Sequence, residues 1–261
     1  MTKKSIYVAK PPDSRGYVDY TPEEDETWSI LYQRQHKIIQ GRACDEYLTG
    51  LELLAIPKDK VPQCPEISEH LKKATGWAVT PVPKIISIDA FFDLLANKHF
   101  PAATFIRTRE ELDYLKEPDI FHEFFGHCPL LTNKAYADFI ESYGKMAQRA
   151  DHKTRSILGR LFWFTIEFGL VSSAKGLRVY GGGILSSYTE TTYALQSDVP
   201  TRLPFDIREV MKTAYRYDEI QKKYFVLDSL KSLFKIIQLD LPALAEKVAL
   251  NTDQDQDFIT C

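Results

Sequence analysis

Apolar residues recur at helical spacing along most of the chain. The first helix is predicted to begin at Thr21, because Thr21-Pro22-Glu23-Glu24 combines an N-cap, a first-turn proline and a capping-box glutamate. The segment from Ile157 to Val171 is apolar almost all round and predicts a buried, central helix. Apolar positions three and four residues apart predict four more helices, over 43–54, from Ser87, from Asn133 and over 227–237.

Short apolar segments between these helices predict minor β structure. Thr104 to Arg107 is a predicted strand, and Leu177 to Tyr180 is a second one that ends in a tight turn at Gly181-Gly182-Gly183. Thr108 and Glu111 form another capping box. The expected fold class is mainly α with minor β (α+β), with one domain over 21–240. An extended segment is expected before it, over 1–20, and a short helix with a polar tail after it, over 241–261.

Composition and charge narrow the function to small-molecule chemistry. The chain of 261 residues is 44% hydrophobic, which is enough for a full core, and its net charge of −3 gives no polybasic excess for nucleic acid or a membrane surface. No apolar stretch reaches 18 residues and the N-terminus lacks the apolar core of a signal peptide, so a cytoplasmic protein is expected. Free thiols are expected at the scattered cysteines, Cys44, Cys64, Cys128 and Cys261.

The most informative residues are His122 and His127, two of only six histidines, in an aromatic setting. On a regular α-helix, positions five apart are rotated by about 140° from each other, so the two rings would not converge. Gly126 permits a break or bulge between them, and Pro129 removes a helical amide just after. From spacing alone, a metal site and a pair of core histidines both remain open.

Glu167 favours the metal interpretation, because it lies in the apolar run 161–170, where a buried carboxylate needs a cation. That cation is either a metal or an Arg or Lys side chain. Two imidazoles and one carboxylate on one face of an ion suit non-haem Fe(II), and the same set also suits Zn²⁺. Glu123 follows His122, but the spacing to His127 does not match the zinc-protease motif. It is therefore expected to be a cofactor or second-sphere contact, or a solvated helix glutamate.

Three segments carry a resemblance to a known family: PDIFHEFFGHCPLL (118–131), FWFTIEFGL (162–170) and YGGGILSSYTE (180–190). In this order they resemble the pterin-dependent aromatic amino acid hydroxylases, and most of all the bacterial members that act on phenylalanine. The resemblance extends from about residue 21 to residue 235. It implies a single catalytic domain whose helices surround an iron-containing cleft.

The resemblance also implies an activity. The expected reaction is hydroxylation of L-phenylalanine to L-tyrosine with O2 and a tetrahydropterin at Fe(II). Larger members carry a regulatory module and a tetramerisation helix, for which this chain has no room, so a monomer or homodimer is expected. The alternatives are a tryptophan or tyrosine hydroxylase of the same family, a zinc hydrolase, and a metal-stabilised binding module without catalysis.

Site residues follow from the resemblance position by position. The iron ligands would be His122, His127 and Glu167. The pterin would contact Phe91, Glu123, Lys84, Ile85, Ile86 and Ile88. The substrate would contact Arg107, Pro118, Trp163, Phe168, Gly183 and Ser186. Asp119 would fix Arg107, and Ser186 and Glu190 are expected either to orient a ligand histidine or to make ordinary turn and cap hydrogen bonds.

Overall fold

The computed structural model describes residues 7–83, 86–113, 115, 117–217 and 219–252. The helices of this part of the chain are α1 (Pro22–Ile38), α2 (Asp45–Leu54), α3 (Cys64–Thr75), α4 (Ile88–Ala96), α5 (Cys128–Leu131), α6 (Lys134–Arg149), α7 (His152–Phe162), α8 (Gly182–Leu185), α9 (Tyr188–Gln196), α10 (Ile207–Lys212), α11 (Lys231–Ile236) and α12 (Leu241–Thr252). A 3₁₀ turn covers Arg109–Glu111, and two π-helices, π1 and π2, cover His122–His127 and Trp163–Glu167.

Two small sheets accompany the helices. The first pairs β1 (Ala78–Val82) with β2 (His99–Ala103) in parallel. The second has the order β4-β3-β6-β5, formed by Gly176–Val179, Leu170–Ser173, Lys223–Leu227 and Thr201–Pro204. In that sheet β3 is antiparallel to β4 and parallel to β6. The mainly α class with minor β is thus confirmed.

The local signals that start helices at Thr21, Ser87 and Asn133 are confirmed by the structure. The hydroxyl of Thr21 accepts from the N–H of Glu24, and the Glu24 side chain accepts from the N–H of Thr21, which is the predicted capping box. The side chains of Ser87 and Asn133 cap α4 and α6 by accepting from the N–H groups of Ala90 and Tyr136. A cap depends on only a few neighbouring residues, so it can be recognised without tertiary information.

The predicted strand at Thr104 to Arg107 is wrong, because the strand is His99–Ala103 and ends before it. The backbone and side chains of the following segment are used for other contacts. The carbonyl of Thr104 accepts from the Tyr20 hydroxyl, and the N–H of Arg107 donates to Asp119. These long-range hydrogen bonds replace a strand ladder, and the sequence does not show them.

Three other predicted elements are corrected. The long helix over 157–171 is interrupted, because α7 ends at Phe162, π2 follows, and β3 begins at Leu170. The helix over 227–237 is shorter than predicted, because β6 runs to Leu227 and α11 begins at Lys231. The expected tight turn at the three glycines is instead the start of α8.

The ends of the described chain differ in character. Residues 7–20 form neither helix nor strand. Helix α12 packs against α7 and α10, so it is docked on the rest of the fold. Its buried apolar face consists of Leu241, Ala245, Val248 and Ala249.

Cys44, Cys64 and Cys128 are buried free thiols, and Cys261 lies outside the described residues. Among the described helices, none has the length and apolarity needed to cross a membrane.

Candidate metal centre

The two π-helices explain how two histidines that are five residues apart can face the same point. In π1 the N–H of Cys128 donates to the carbonyl of Glu123, five residues back, and in π2 the N–H of Phe168 donates to the carbonyl of Trp163. This i→i+5 pattern places residues five apart one turn apart, on the same side of the helix. His122 and His127 therefore face the same point, where an α-helix would separate them.

The structure brings His122, His127 and Glu167 together. The two Nε2 atoms are 3.0 Å apart, and the carboxylate oxygens of Glu167 lie 3.3 Å from His127 Nε2 and 3.7 Å from His122 Nε2. Two ligands at right angles on a metal with bonds of about 2.1 Å lie about 3.0 Å apart. The three side chains thus have the mutual distances of donors on one face of a single ion, and the donor set suits Fe(II).

Ser186 fixes the orientation and the tautomer of His122. The Ser186 hydroxyl donates to the carbonyl of Gly182 at 2.9 Å, so its oxygen is left to accept from His122 Nδ1, also at 2.9 Å. A proton on Nδ1 leaves the lone pair of Nε2 directed at Glu167 and His127. Hydrogen bonds of this kind make a histidine a better metal ligand.

The protonation states favour the same assignment. Burial, and then the neighbouring His127, lower the pKa of His122 to about 4, so its imidazole is neutral at pH 7. Burial by itself would raise the pKa of Glu167, but the interactions with His127 and then with His122 together outweigh it, so the net pKa lies below the usual value. The site therefore holds a neutral imidazole beside an ionised carboxylate, which are the forms that bind a metal.

A second carboxylate competes for the role of third ligand. Glu123 also has an oxygen within 4.8 Å of the ligand nitrogens of His122 and His127. However, burial, and then the charge of Glu167, raise the pKa of Glu123 well above its usual value. The distances of 3.3 and 3.7 Å between Glu167 and the two imidazoles, together with its lowered pKa, favour Glu167 over Glu123 as the third candidate ligand. Glu123 remains as a neighbour of the centre.

Gly126 and Gly182 are required by close packing rather than by backbone freedom, and Gly183 is tightly packed. A Cβ on Gly182 would lie 2.4 Å from the His127 imidazole, and one on Gly126 would lie 2.6 Å from the carbonyl oxygen of Gly182. A Cβ on Gly183 would lie 3.1 Å from the Glu167 carboxylate. Helix α8 thus packs directly against the candidate ligands His127 and Glu167, so it fixes both π-helices relative to each other.

Arg107 and Asp119 form a buried bidentate pair next to the centre. Arg107 Nε and Nη2 donate to the two Asp119 oxygens at 2.8 and 2.9 Å. Asp119 also accepts from the N–H of Arg107 and from the N–H of His122. The predicted contact between Asp119 and Arg107 is present. It ties the position of the guanidinium to the first residue of π1.

The predicted substrate residues divide by exposure. Trp163 and Phe168 are only partly buried, and their rings lie 4.6 Å apart. Pro118 is exposed, one residue before Asp119. Three further aromatic rings at π1 lie in the core, where they are at most 1% exposed: Phe121, Phe124 and Phe125.

The predicted pterin residues lie around the start of α4. Phe91 is partly buried, with its ring 5.4 Å from Phe162 and 5.5 Å from Phe92, both edge-on. Ile88 is exposed and Ile86 is half-buried. Lys84 and Ile85 lie outside the described residues. Edge contacts hold the Phe91 ring in place, which suits a ring that stacks on a planar ligand.

The expectation that Glu190 orients a ligand histidine is not met by its described contacts. Its Oε1 accepts from the Tyr224 hydroxyl at 2.5 Å and from the N–H of Gln221 at 3.2 Å. Glu190 instead ties α9 to the segment before β6. Sequence reasoning also missed Gln221 itself, because a glutamine in a polar loop carries no signal of burial. Ser186, by contrast, does contact His122.

The ionisation of Glu190 gives a testable pH dependence. Burial raises its pKa, and the hydrogen bonds from Tyr224 and Gln221 offset this only in part. An acid with a raised folded pKa binds more protons when folded, so its contribution to stability falls as pH rises from the unfolded value of 4.5. We expect the free energy of unfolding of Glu190→Gln, relative to wild type, to increase from about pH 4 to pH 7. Urea titrations at several pH values check this, and a constant offset would contradict it.

Two histidines and one glutamate that converge on one point, with a buried arginine–aspartate pair and a partly buried indole beside them, have the donor set of a mononuclear metal centre of the non-haem iron class. Sequence comparison agrees, since the biopterin-dependent aromatic amino acid hydroxylase family matches residues 6–251. The chain belongs to this family.

Relatives and solved structures support the same assignment. The phenylalanine-4-hydroxylase of Pseudomonas aeruginosa is 52% identical over 94% of this chain and 93% of its own length. The cold-active phenylalanine hydroxylase of Colwellia psychrerythraea superposes with a TM-score of 0.92 at 49% identity, over 96% of each chain. The Chromobacterium violaceum enzyme with bound oxidised Fe(III) superposes with a TM-score of 0.86 at 45% identity, over 92% of this chain and 90% of its own.

Proposed function

We propose that this protein is a phenylalanine 4-monooxygenase that converts L-phenylalanine to L-tyrosine with O2 and a tetrahydropterin. The single observation that supports it most is the convergence of His122, His127 and Glu167, with nitrogen and oxygen donors 3.0 to 3.7 Å apart. Close relatives named for the same reaction support the substrate. When bound, ferrous iron and the pterin supply the two electrons and the O2 activation that ring hydroxylation needs.

The protein's own residues have binding and positioning roles. His122, His127 and Glu167 hold the ion on one face, which leaves the opposite face for reactants. We assign the carboxylate of the amino acid to Arg107, because a planar guanidinium held by Asp119 presents its remaining N–H groups in a fixed direction. We assign the substrate's ring to the wall made by Trp163 and Phe168, with Pro118, Gly183 and Ser186 completing the pocket. Both assignments are proposals.

The pterin is assigned to the other side of the centre. Phe91 would stack on its ring, with Ile86 and Ile88 alongside and Glu123 near the iron. The edge contacts of Phe91 with Phe92 and Phe162 support this, because they leave the ring in a fixed plane. Separate binding surfaces for the two organic reactants would let both lie close to one ion, which is what a reaction of three substrates needs.

A metal and cofactor exchange separates this function from a zinc hydrolase. We expect protein reconstituted with Fe(II) to form tyrosine from phenylalanine only when both a tetrahydropterin and O2 are present, because the pterin is the electron donor. Protein reconstituted with Zn²⁺ should form none. Tyrosine is quantified by chromatography. Turnover with Zn²⁺ and without a pterin would contradict the proposal.

Substrate selectivity is expected to depend on Trp163. Replacing the indole by a smaller ring in Trp163→Phe enlarges the pocket, so we expect turnover of tryptophan to rise relative to phenylalanine. One methylene more or less in an apolar pocket alters discrimination by about 10- to 200-fold, so we expect a change of at least about 10-fold. Competition assays with the two amino acids measure the ratio. An unchanged ratio would show that Trp163 does not set selectivity.

A further inference from the structure

The indole of Trp163 is held by one directional contact. Its ring stacks on Tyr215, with centroids 4.2 Å apart and planes 13° from parallel, and it also contacts Phe168. Stacked rings can slide and rotate in their own plane at little cost, so these contacts set the plane of the indole but not its direction within it. The indole N–H donates to Gln221 Oε1 at 3.0 Å, and this hydrogen bond sets the direction.

The amide of Gln221 has only one orientation that satisfies its neighbours. Its Nε2 donates to the carbonyls of Arg216 and Glu219, at 2.8 and 3.0 Å. A flipped amide would put its oxygen against two carbonyls and its NH₂ against the indole N–H. Gln221 is only 6% exposed, so water does not compensate for a lost partner. The acceptor for Trp163 is therefore fixed in place.

The backbone of Gln221 is anchored as well. Its N–H donates to Glu190 on α9, and the same carboxylate oxygen accepts from Tyr224 on β6. The segment before β6 also borders a half-open cavity of about 670 Å³, and Tyr215 and Gln221 are among the residues that line this cavity. Packing from that side is thus limited, and hydrogen bonds through Gln221 carry the connection between this segment and Trp163.

We propose that Gln221 is a positioning residue that fixes the direction of the Trp163 indole and thereby sets the preference of the pocket for phenylalanine over tryptophan. This inference rests on the proposed function, in which Trp163 lines the pocket for the substrate's ring. A fixed indole leaves room for a benzene ring and rejects a second indole. Once released, the Trp163 ring turns in its plane, which loosens the fit for phenylalanine and admits tryptophan.

A double-mutant cycle tests the proposal. Gln221→Met keeps the length of the side chain and removes both the acceptor and the donors. In the wild-type background, we expect it to raise KM for phenylalanine and the tryptophan-to-phenylalanine ratio of kcat/KM by about fivefold each, the effect of one hydrogen bond. In the Trp163→Phe background, where the indole N–H is absent, the same substitution should change neither by more than about 1.5-fold. Equal effects in both backgrounds would overturn the proposal.

A spectroscopic readout works without turnover. The described chain's other two tryptophans, Trp28 and Trp77, are at most 1% exposed. Gln221→Met removes the acceptor of the Trp163 indole N–H, so it should change the fluorescence maximum or intensity of Trp163. This change should vanish in the Trp163→Phe background. If Gln221→Met does not fold, Gln221→Asn withdraws the acceptor by one methylene and is compared in the same two backgrounds. No fluorescence change in a folded variant would overturn the proposal.

The two proposals fail in different ways. If wild-type protein with Fe(II), a pterin and O2 forms no tyrosine, the proposed function fails, while the fluorescence cycle still tests whether Gln221 holds Trp163. If wild type forms tyrosine but the kinetic cycle shows no coupling, only the role of Gln221 fails.

Discussion

Replacing Glu167 by alanine is expected to abolish tyrosine formation and iron binding while the protein stays folded. Glu167 is the anionic member of the donor set, with oxygens 3.3 and 3.7 Å from the two imidazoles. Replacing a residue that only orients a metal ligand lowers the affinity for the metal by about 10- to 100-fold. Replacing a ligand itself should lower that affinity by more. Iron content by mass spectrometry and tyrosine formation measure the two effects.

Glu123→Gln is the matched control for this prediction. It replaces the second carboxyl group near the same histidines by an amide of the same volume, and so removes the other candidate for the third ligand. We expect this variant to retain normal iron content and to lose affinity for the pterin instead. Normal iron in Glu167→Ala combined with loss of iron in Glu123→Gln would reassign the third ligand from one glutamate to the other.

Gly182→Ala is expected to be nearly as damaging, although it adds one methyl group and removes nothing. The new Cβ would lie 2.4 Å from the His127 imidazole, where ordinary contact begins at 3.4 Å. The ring or α8 must then move by about 1 Å, and misplacement of this size costs about 100-fold in activity. We expect a matching loss of iron affinity, since His127 is one of the three proposed ligands.

Gly159→Ala is the control for a glycine-to-alanine change in a helix. Gly159 lies in α7, and a Cβ there would meet no atom within 4 Å. That variant should keep its activity and gain about 0.5 to 1 kcal/mol in unfolding free energy from the higher helix propensity of alanine. Full activity and normal iron affinity in Gly182→Ala would show that α8 does not hold His127.

The sequence was most informative where a structural signal depends on a few neighbouring residues, or where a charged side chain lies in an apolar segment. The capping box at Thr21 and the cap at Asn133 were predicted correctly, because each depends on three or four neighbouring residues. Glu167 stands out in the sequence because a buried carboxylate is costly in an apolar run. The resemblance of three segments then supplied the family, which the comparisons confirm.

The sequence was least informative where backbone geometry depends on tertiary packing. The interruption of the helix at Phe162 by π2 adds only one residue to a turn, and periodicity does not register so small a change. The three glycines were interpreted as a turn, whereas the contacts that require them are with His127 and Glu167, remote in the chain. Gln221 is a polar residue in a loop, and only its hydrogen bonds show that it is buried.

One measurement tests the central claim most directly. Iron-loaded protein is incubated with a tetrahydropterin and ¹⁸O₂ and, in separate reactions, with phenylalanine, tyrosine or tryptophan, and the products are identified by mass spectrometry. The account predicts that phenylalanine is the preferred substrate and that its product is tyrosine with one ¹⁸O atom on carbon 4 of the ring. A preference for another amino acid, or tyrosine whose new oxygen comes from water, would contradict it.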